Sequence, residues 1–483
     1  MNFSLCLEKI PHLSLISEIA KKHNFNIWLV GGFLRDIYLN KSKEQPDFDF
    51  CVEKNAGLIA KEFAKKISSK VIVLDEGQQT LRVILKKNNK TYYYDFTLMR
   101  AQSLKQDLFL RDFTINSLAL NIQDKNPQLI DYCGAKKDLD KGLIRLAKPE
   151  VIPHDPLRIL RGFAFAVNYD FRIEDKTLKI MAKFKKLLKK VSKERINEEL
   201  FKIFSSGHSY KAVIAMDKFK IIDEIIPYID KSRGVNQGSF HHLDVWAHSI
   251  EALRQFELLY NKRLKKNKEI EAYLNEELAQ NRRRIQIIKL ACLLHDVGKP
   301  KAKKKLAKRT IFHTHEKIGR DLAGKAAQTL RLSSKEEDIL KKLVFWHLRP
   351  GYLADQIKPT KRAVYRFFRD TQKEGAGVIL LSLADWRATR GPGTDITKRK
   401  RHEKIMLNLV DLYLEQKKKK PLPKIVDGYG IMKKFKLKPG PLIGKILRKI
   451  KEEQALGKIS TKTQAYDTAN KIIIFEHSRI KVH

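Results

Sequence analysis

The chain has 483 residues, with 98 Lys and Arg against 55 Asp and Glu, a formal net charge of +43. Self-repulsion of that size points to a polyanionic partner, nucleic acid first and an anionic membrane surface second, unless the lysine-heavy composition carries no function at all. Its length predicts two to four domains. Cys6, Cys51, Cys133 and Cys292 are scattered without a CxxC pair, which argues against a disulfide framework and a thiolate zinc site. No targeting segment opens the chain and no apolar run approaches ~18 residues, so a soluble, untargeted protein of the reducing cytoplasm is expected.

In chain order, "NIWLV" at 26 to 30 predicts a short buried strand, which Gly31 and Gly32 break before the helical "FLRDIYL". Such glycines let backbone N–H groups approach a triphosphate at a helix N-terminus, and Arg35 can neutralise phosphate charge. "DFDFCV", "KVIVL", "LRVILK", "TYYYDFTLM" and "SLALNI" predict further strands, so residues 1 to 140 form a mixed α/β domain. Asp47 and Asp49 are separated by one residue on a strand and project from one face, where they repel each other unless a cation lies between them. Asp95 is either a third carboxylate facing the same metals or a strand-edge acid. "RDFTINSLAL", from Arg111, sets Arg111, Asp112 and Asn116 beside an apolar run, polar groups that a core segment carries only against a polar partner.

From 141 to 235 the texture is amphipathic helix. In "KFKKLLKKVSK", Phe184, Leu187, Leu188 and Val191 recur at i, i+3, i+4 and i+7, with lysines opposite. In "DPLRILRGFAFAV", Asp155 and Arg158 are predicted to share one helical face, with Arg161 a turn on; the alternative is a surface salt bridge. Cytosine and adenine each present an exocyclic amino donor beside a ring-nitrogen acceptor, and an Asp beside an Arg is complementary to that edge. Guanine and uracil would set like groups against each other.

From 236 to 400 the chain is helical and marked by His248, His295-Asp296, His315, His347 and Asp385. Donors of this kind suit Mn, Fe, Ni, Zn or Mg, and a bound metal can generate hydroxide for phosphoester hydrolysis. His241, His242 and His313 are expected at the surface or at helix caps. The basic stretches at 261 and 299 are expected in loops or at helix ends. In the basic tail, 401 to 483, Gly440-Pro441 and Gly444 are expected to interrupt helices.

"LVGGFLRD", "DFDF", "LRDFTINSLAL" and "DPLRILRGFAFAV" occur in the order seen in the class II tRNA nucleotidyltransferase and bacterial poly(A) polymerase family, within the DNA polymerase β superfamily, and the chain resembles it over most of its length. The resemblance implies an α+β fold: a polymerase-β-like nucleotidyltransferase head (1–140), an all-helical neck with a base-recognition helix (141–235), an HD body (236–400) and a basic, tRNA-binding tail (401–483). It implies Mg2+ on catalytic Asp47 and Asp49, with Asp95 beside them. Gly31, Gly32, Arg35, Arg111, Asp112, Asn116, Asp155, Arg158 and Arg161 shape the nucleotide pocket, Arg161 toward the triphosphate. The histidine series resembles the HD phosphohydrolase superfamily, implying a transition metal or Mg2+ on His248, His295, Asp296, His315, His347 and Asp385. Two positions depart from the family: His154 and Leu110 stand where many members have Glu and a basic residue. The basic segment that marks the poly(A) polymerases is replaced by "VLDEGQQTLRVIL". The implied function is CCA addition to tRNA from CTP and ATP. Alternatives are a CC-only, A-only or poly(A) enzyme on this scaffold, an HD phosphohydrolase of RNA ends or nucleotides, or an inert RNA-binding protein.

Overall fold

The computed structural model describes residues 7–8, 10–41, 47–238, 241–279, 281–306, 310–391, 395–419 and 422–480, with side chains to 476. The chain divides into two units, residues 1–225 and 226–483.

In the first unit, helix α1 (Leu13–Lys22) leads into strand β1 (Ile27–Val30), helix α2 (Gly32–Tyr38), strand β2 (Asp47–Val52), helix α3 (Ala56–Lys66), and strands β3 (Val71–Asp75), β4 (Thr80–Lys87), β5 (Lys90–Leu98), β6 (Ala119–Asn121) and β7 (Leu129–Ile130). They form one seven-stranded sheet in the order β3-β4-β5-β2-β1-β6-β7. Alternation along β2 sends Phe48 and Phe50 into the core, both 1% exposed. There Phe48 meets Tyr94 at 5.2 Å and Phe50 stacks on Phe96 at 5.2 Å, while Phe63 of α3 packs on Tyr94 and Phe96 of β5. This packing fixes the register, because a slip of one residue would turn the phenylalanines out and the aspartates in. β2 and β5 run parallel with Asp49 opposite Asp95, so these carboxylates share a face. β5 lies between β4 and β2, so Asp95 is not an edge residue.

Helix α4 (Arg158–Tyr169) buries Ile159, Leu160, Phe163 and Ala164, and packs on helix α5 (Lys193–Ser205). The structure corrects two expectations here. Asp155 is not on the helix: it has φ −142° and ψ 94° and precedes α4, because the backbone before Pro156 is pushed out of the α region. The segment Lys185–Lys190 is a 3-10 helix that follows a helix ending at Phe184, although Leu188 and Val191 are buried as the spacing required.

The second unit contains helices α6 (Val245–Lys262), α7 (Arg284–Leu294), α8 (His315–Thr329), α9 (Ser334–Trp346), α10 (Lys361–Thr371) and α11 (Gly375–Ala388). α7 is buried along its whole length and α11 along most of it, so neither shows an amphipathic period. Of the basic stretch at 299, Lys299 is buried rather than solvated. The tail helices α12 (Pro441–Ala455) and α13 (Lys462–Ile480) enclose a core of Ile431, Ile443, Ile446, Ile450, Ile459, Ala465, Ala469 and Ile473. Gly440-Pro441 starts α12, whereas Gly444 lies within it and interrupts nothing. Arg366 of α10 donates two hydrogen bonds, each 2.8 Å, to Glu452 of α12. Among the described residues no helix is long and apolar enough to cross a membrane.

Candidate functional site

One cavity of about 1180 Å³ in the first unit is lined by all twelve head and neck candidates: Gly31, Gly32, Arg35, Asp47, Asp49, Asp95, Arg111, Asp112, Asn116, Asp155, Arg158 and Arg161. That volume exceeds the ordinary range for a small-molecule site, leaving room beyond a single nucleotide.

The carboxylate wall comes from the sheet. Gly31, at φ +80°, turns the chain from β1 into α2, and a Cβ there would meet Asp49 Oδ2 at 3.2 Å and Arg111 Nη1 at 3.3 Å. A side chain would therefore fill the space that the aspartate and arginine use. Burial pushes the Asp49 carboxyl up to about 6; Arg111 opposes that shift, while Asp95 and Asp47 add to it. This crowding of negative charge fits a divalent cation. Asp95 is held by Arg82, whose Nε and Nη2 each donate to it at 2.7 Å.

Arg35 is 3% exposed and its charge is met within the protein: Nε and Nη2 donate to Asp36 Oδ1 at 2.9 and 2.8 Å. Its Nη1 donates to Asn116 Oδ1 at 2.5 Å. Asp112 is also buried and accepts from Phe113 N at 2.8 Å, Asn116 Nδ2 at 3.0 Å and Arg161 Nε at 2.9 Å. Burial disfavours its charge, but Arg161, Asn116, Arg158 and the Phe113 N–H prevail and hold the carboxyl at about 2.

Because the folded value is depressed, Asp112 contributes stability that is complete above its unfolded pKa near 4 and is lost as pH falls toward 2. The stability difference between wild type and Asp112→Asn is therefore expected to shrink by roughly 2 to 3 kcal/mol from pH 6 to pH 2. Denaturant unfolding across that range measures it.

Asp155 accepts two hydrogen bonds from Arg195 Nη2, at 3.0 and 3.2 Å, and Arg158 Nη1 donates to the Leu110 carbonyl at 3.1 Å. Burial lowers the Arg158 pKa, with Asp112 and Asp155 opposing. The sequence reading missed Arg82, Arg195, Lys41 and Tyr169 on this cavity. Of these, Tyr169 was legible, since Arg161, Phe165 and Tyr169 recur every four residues along one helical stripe.

The second unit brings the histidine series together. Asp296 Oδ2 is 3.2 Å from His295 Nε2 and 3.9 Å from His248 Nε2, and its Oδ1 is 3.3 Å from His315 Nε2 and 3.8 Å from His347 Nε2. Asp385 Oδ1 lies 2.8 Å from His248 Nε2 and 3.7 Å from His295 Nε2. Asp296 thus belongs to two triads, one with His248 and His295 and one with His315 and His347, whose donor atoms lie within 4.8 Å of one another. Among the described residues the head carboxylates form no triad at that spacing.

Three imidazoles are fixed from behind: Nδ1 of His295, His315 and His347 meets the carbonyls of Cys292, Phe312 and Val344 at 2.9, 2.7 and 2.6 Å. A carbonyl only accepts, so Nδ1 carries a proton and Nε2 is the atom turned toward the cluster. The Nε2 atoms of these three histidines and both Asp296 oxygens are buried without a well-formed hydrogen bond. Orphaned donors of this type fit a bound metal ion. Gly298 permits the arrangement, since a Cβ there would meet the His315 carbonyl oxygen at 2.1 Å. Lys299 Nζ is 2.6 Å from Asp296 Oδ2. His242 and His313 are exposed as expected, and His241 is half-buried: its ring packs edge-on against His248 at 4.8 Å, and its Nδ1 is buried.

Three family models match the chain: a poly A polymerase head domain over residues 27–145, a probable RNA- and SrmB-binding site of polymerase A over 170–232, and an HD domain over 245–390. The A-adding tRNA nucleotidyltransferase of Deinococcus radiodurans is 27% identical over 445 residues, covering 90% of this chain and 93% of that protein. The CC-adding tRNA nucleotidyltransferase of Thermus thermophilus is 26% identical, covering 90% and 91%. Among solved structures, the Thermotoga maritima CCA-adding enzyme complexed with tRNA superposes with a TM-score of 0.64 at 20% identity, over 98% of each chain.

Proposed function

We propose that the chain is a member of the class II tRNA nucleotidyltransferase and poly(A) polymerase family with an HD domain, and that it builds or repairs the 3′-terminal CCA of tRNA from CTP and ATP, releasing pyrophosphate. The observation that carries this reading is the convergence on one cavity of twelve residues drawn from four ordered motifs.

Asp47 and Asp49, with Asp95 beside them, would hold Mg2+, which when bound supplies activation of the RNA 3′-hydroxyl and charge neutralisation at the phosphates. Arg111, whose guanidinium lies by Gly31 and Asp49, is placed to meet triphosphate oxygens. Asp155 accepts from the exocyclic amino group of cytosine or adenine, and Arg158 donates to the ring nitrogen beside it. The wrong bases leave these groups unpaired in a confined site. Arg195 already bonds the Asp155 carboxylate and orients it. Arg35, Asn116 and Asp112 are buried within the pocket wall and support it.

The tRNA backbone is held by the lysine-rich neck and tail, which makes binding salt-dependent. Cys51, Cys133 and Cys292 are free and buried, while Cys6 lies outside the described residues. Their spacing supports a reducing, cytoplasmic setting.

The test supplies Mg2+, CTP and ATP with tRNA transcripts ending before CCA, after C and after CC, and sequences the new 3′ ends. CCA followed by arrest is expected. A product that stops at CC, or one that needs CC to begin, moves the chain to the reading favoured by its CC-adding and A-adding relatives. No addition overturns the proposal.

The HD cluster favours a second, metal-dependent phosphohydrolase site, with Mn, Fe, Ni, Zn or Mg bound. Asp296 faces both triads, so Asp296→Asn is expected to remove most of the metal of the second unit, read by elemental analysis of the purified protein. CCA addition should stay within about twofold of wild type, because the substituted group lies in the other unit.

A further inference from the structure

Along α4, Arg161, Phe165 and Tyr169 share one stripe on the cavity wall. Phe165 lies between two guanidiniums, that of Arg161 at 5.5 Å and that of Arg35 at 5.1 Å. Tyr169 touches Arg35 in two ways: its ring lies 4.6 Å from the guanidinium carbon and its hydroxyl accepts from Nη2 at 2.6 Å. The same hydroxyl donates to Asp36 Oδ1 at 2.6 Å.

Arg35 and Asp36 form a buried ion pair, 3% and 5% exposed, and such a pair is held in one geometry only when its remaining donors and acceptors are met. Tyr169 meets one of them. From there hydrogen bonds run on without a gap: Arg35 to Asn116 at 2.5 Å, Asn116 to Asp112 at 3.0 Å, and Arg161 to Asp112 at 2.9 Å. Of the last two links Arg161 is the more open to the cavity, its side chain 38% exposed against 8% for Asp112.

We propose that Tyr169 is a positioning residue of the nucleotide pocket: through Asp36, Arg35, Asn116 and Asp112, its hydroxyl sets the direction in which Arg161 is presented to the triphosphate. This rests on reading the cavity as the nucleotide site. The hydrogen bonds of the Tyr169 hydroxyl go to Arg35 and Asp36. Its effect passes through the buried chain, and the hydroxyl is the only atom that Tyr169→Phe removes.

The experiment measures kcat and KM for CTP and ATP in wild type, Tyr169→Phe, Asp36→Asn and the double variant, with Tm for each. Each single change is expected to lower kcat/KM by about tenfold, because small displacements of a positioned charge are amplified in the transition state. The double variant should lose little more than either single one, because both cut the same chain. A Tyr169→Phe protein within twofold of wild type overturns the proposal. So does a loss that adds fully to that of Asp36→Asn, or one that vanishes when activity is corrected for the folded fraction. Should Tyr169→Phe not fold, Asp36→Asn alone carries the same tenfold expectation at an unchanged folded fraction, and its absence is decisive. A wild-type protein that adds no nucleotide defeats the functional reading itself, whereas an active wild type with indifferent variants defeats only the role of Tyr169.

Discussion

Asp49→Asn is expected to reduce nucleotide addition by at least about a thousandfold, which corresponds to about 4 kcal/mol of transition-state stabilisation. The substitution keeps the shape of the side chain and removes its charge. Asp49 stands opposite Asp95 in the sheet register and beside Arg111. Asp95 is itself clamped by Arg82. Fold should survive, because Phe48 and Phe50 on the opposite face hold the strand. The measurement is single-turnover addition of CTP to a tRNA ending before CCA, with Tm as the control. Retention of more than a tenth of wild-type activity at an unchanged Tm would remove Asp49 from the metal-binding role.

The second large effect concerns choice of base. Asp155→Ala and Arg158→Ala are each expected to reduce the preference for CTP and ATP over UTP and GTP by about a hundredfold, mainly by slowing the correct nucleotides. The reason is the cost of a confined hydrogen-bonding group left without a partner, about 1 to 3 kcal/mol per group and more when it is charged. Asp155→Asn separates charge from pattern: an amide can turn its oxygen toward the base, so part of the selectivity should return. Competition between labelled CTP and UTP at one RNA end reads the ratio directly. A mutant that slows all four nucleotides equally would mean that the pair supports the pocket wall rather than reading the base.

Much of this was legible because it depends on short-range order. The alternation of Asp47, Phe48, Asp49 and Phe50 states both the strand and its two faces. The six metal-site residues keep the order of a known series. What the sequence hides is pairing across distance. Arg82 reaches Asp95 through strand register, and Arg195 reaches Asp155 through the packing of two helices. Asp155 itself was misplaced because the i, i+3 spacing suits a helix while Pro156 forbids the preceding residue from joining it. His241 was legible only in part: a polar residue outside the helices reads as exposed, yet its ring is half-buried against His248. The 3-10 turn after Phe184 kept its buried residues while changing its period, so the pattern named the inward residues and missed the helix type.

The cavity's cations are seven arginines, at 35, 82, 100, 111, 158, 161 and 195, and two lysines, Lys41 and Lys202. Both of these lysines are exposed, and among the described residues only Lys289 and Lys299 are buried lysines. Arginine dominates the cavity, whereas lysine outnumbers arginine in the chain as a whole. Reagents that acylate primary amines would discharge the outer surface while leaving guanidinium groups untouched. A protein so treated would retain most of the charge that grips a small triphosphate and lose most of the field that gathers a long polyanion. The molecule's appetite for nucleotide and its appetite for RNA are in that sense separable by a bottle of acetic anhydride.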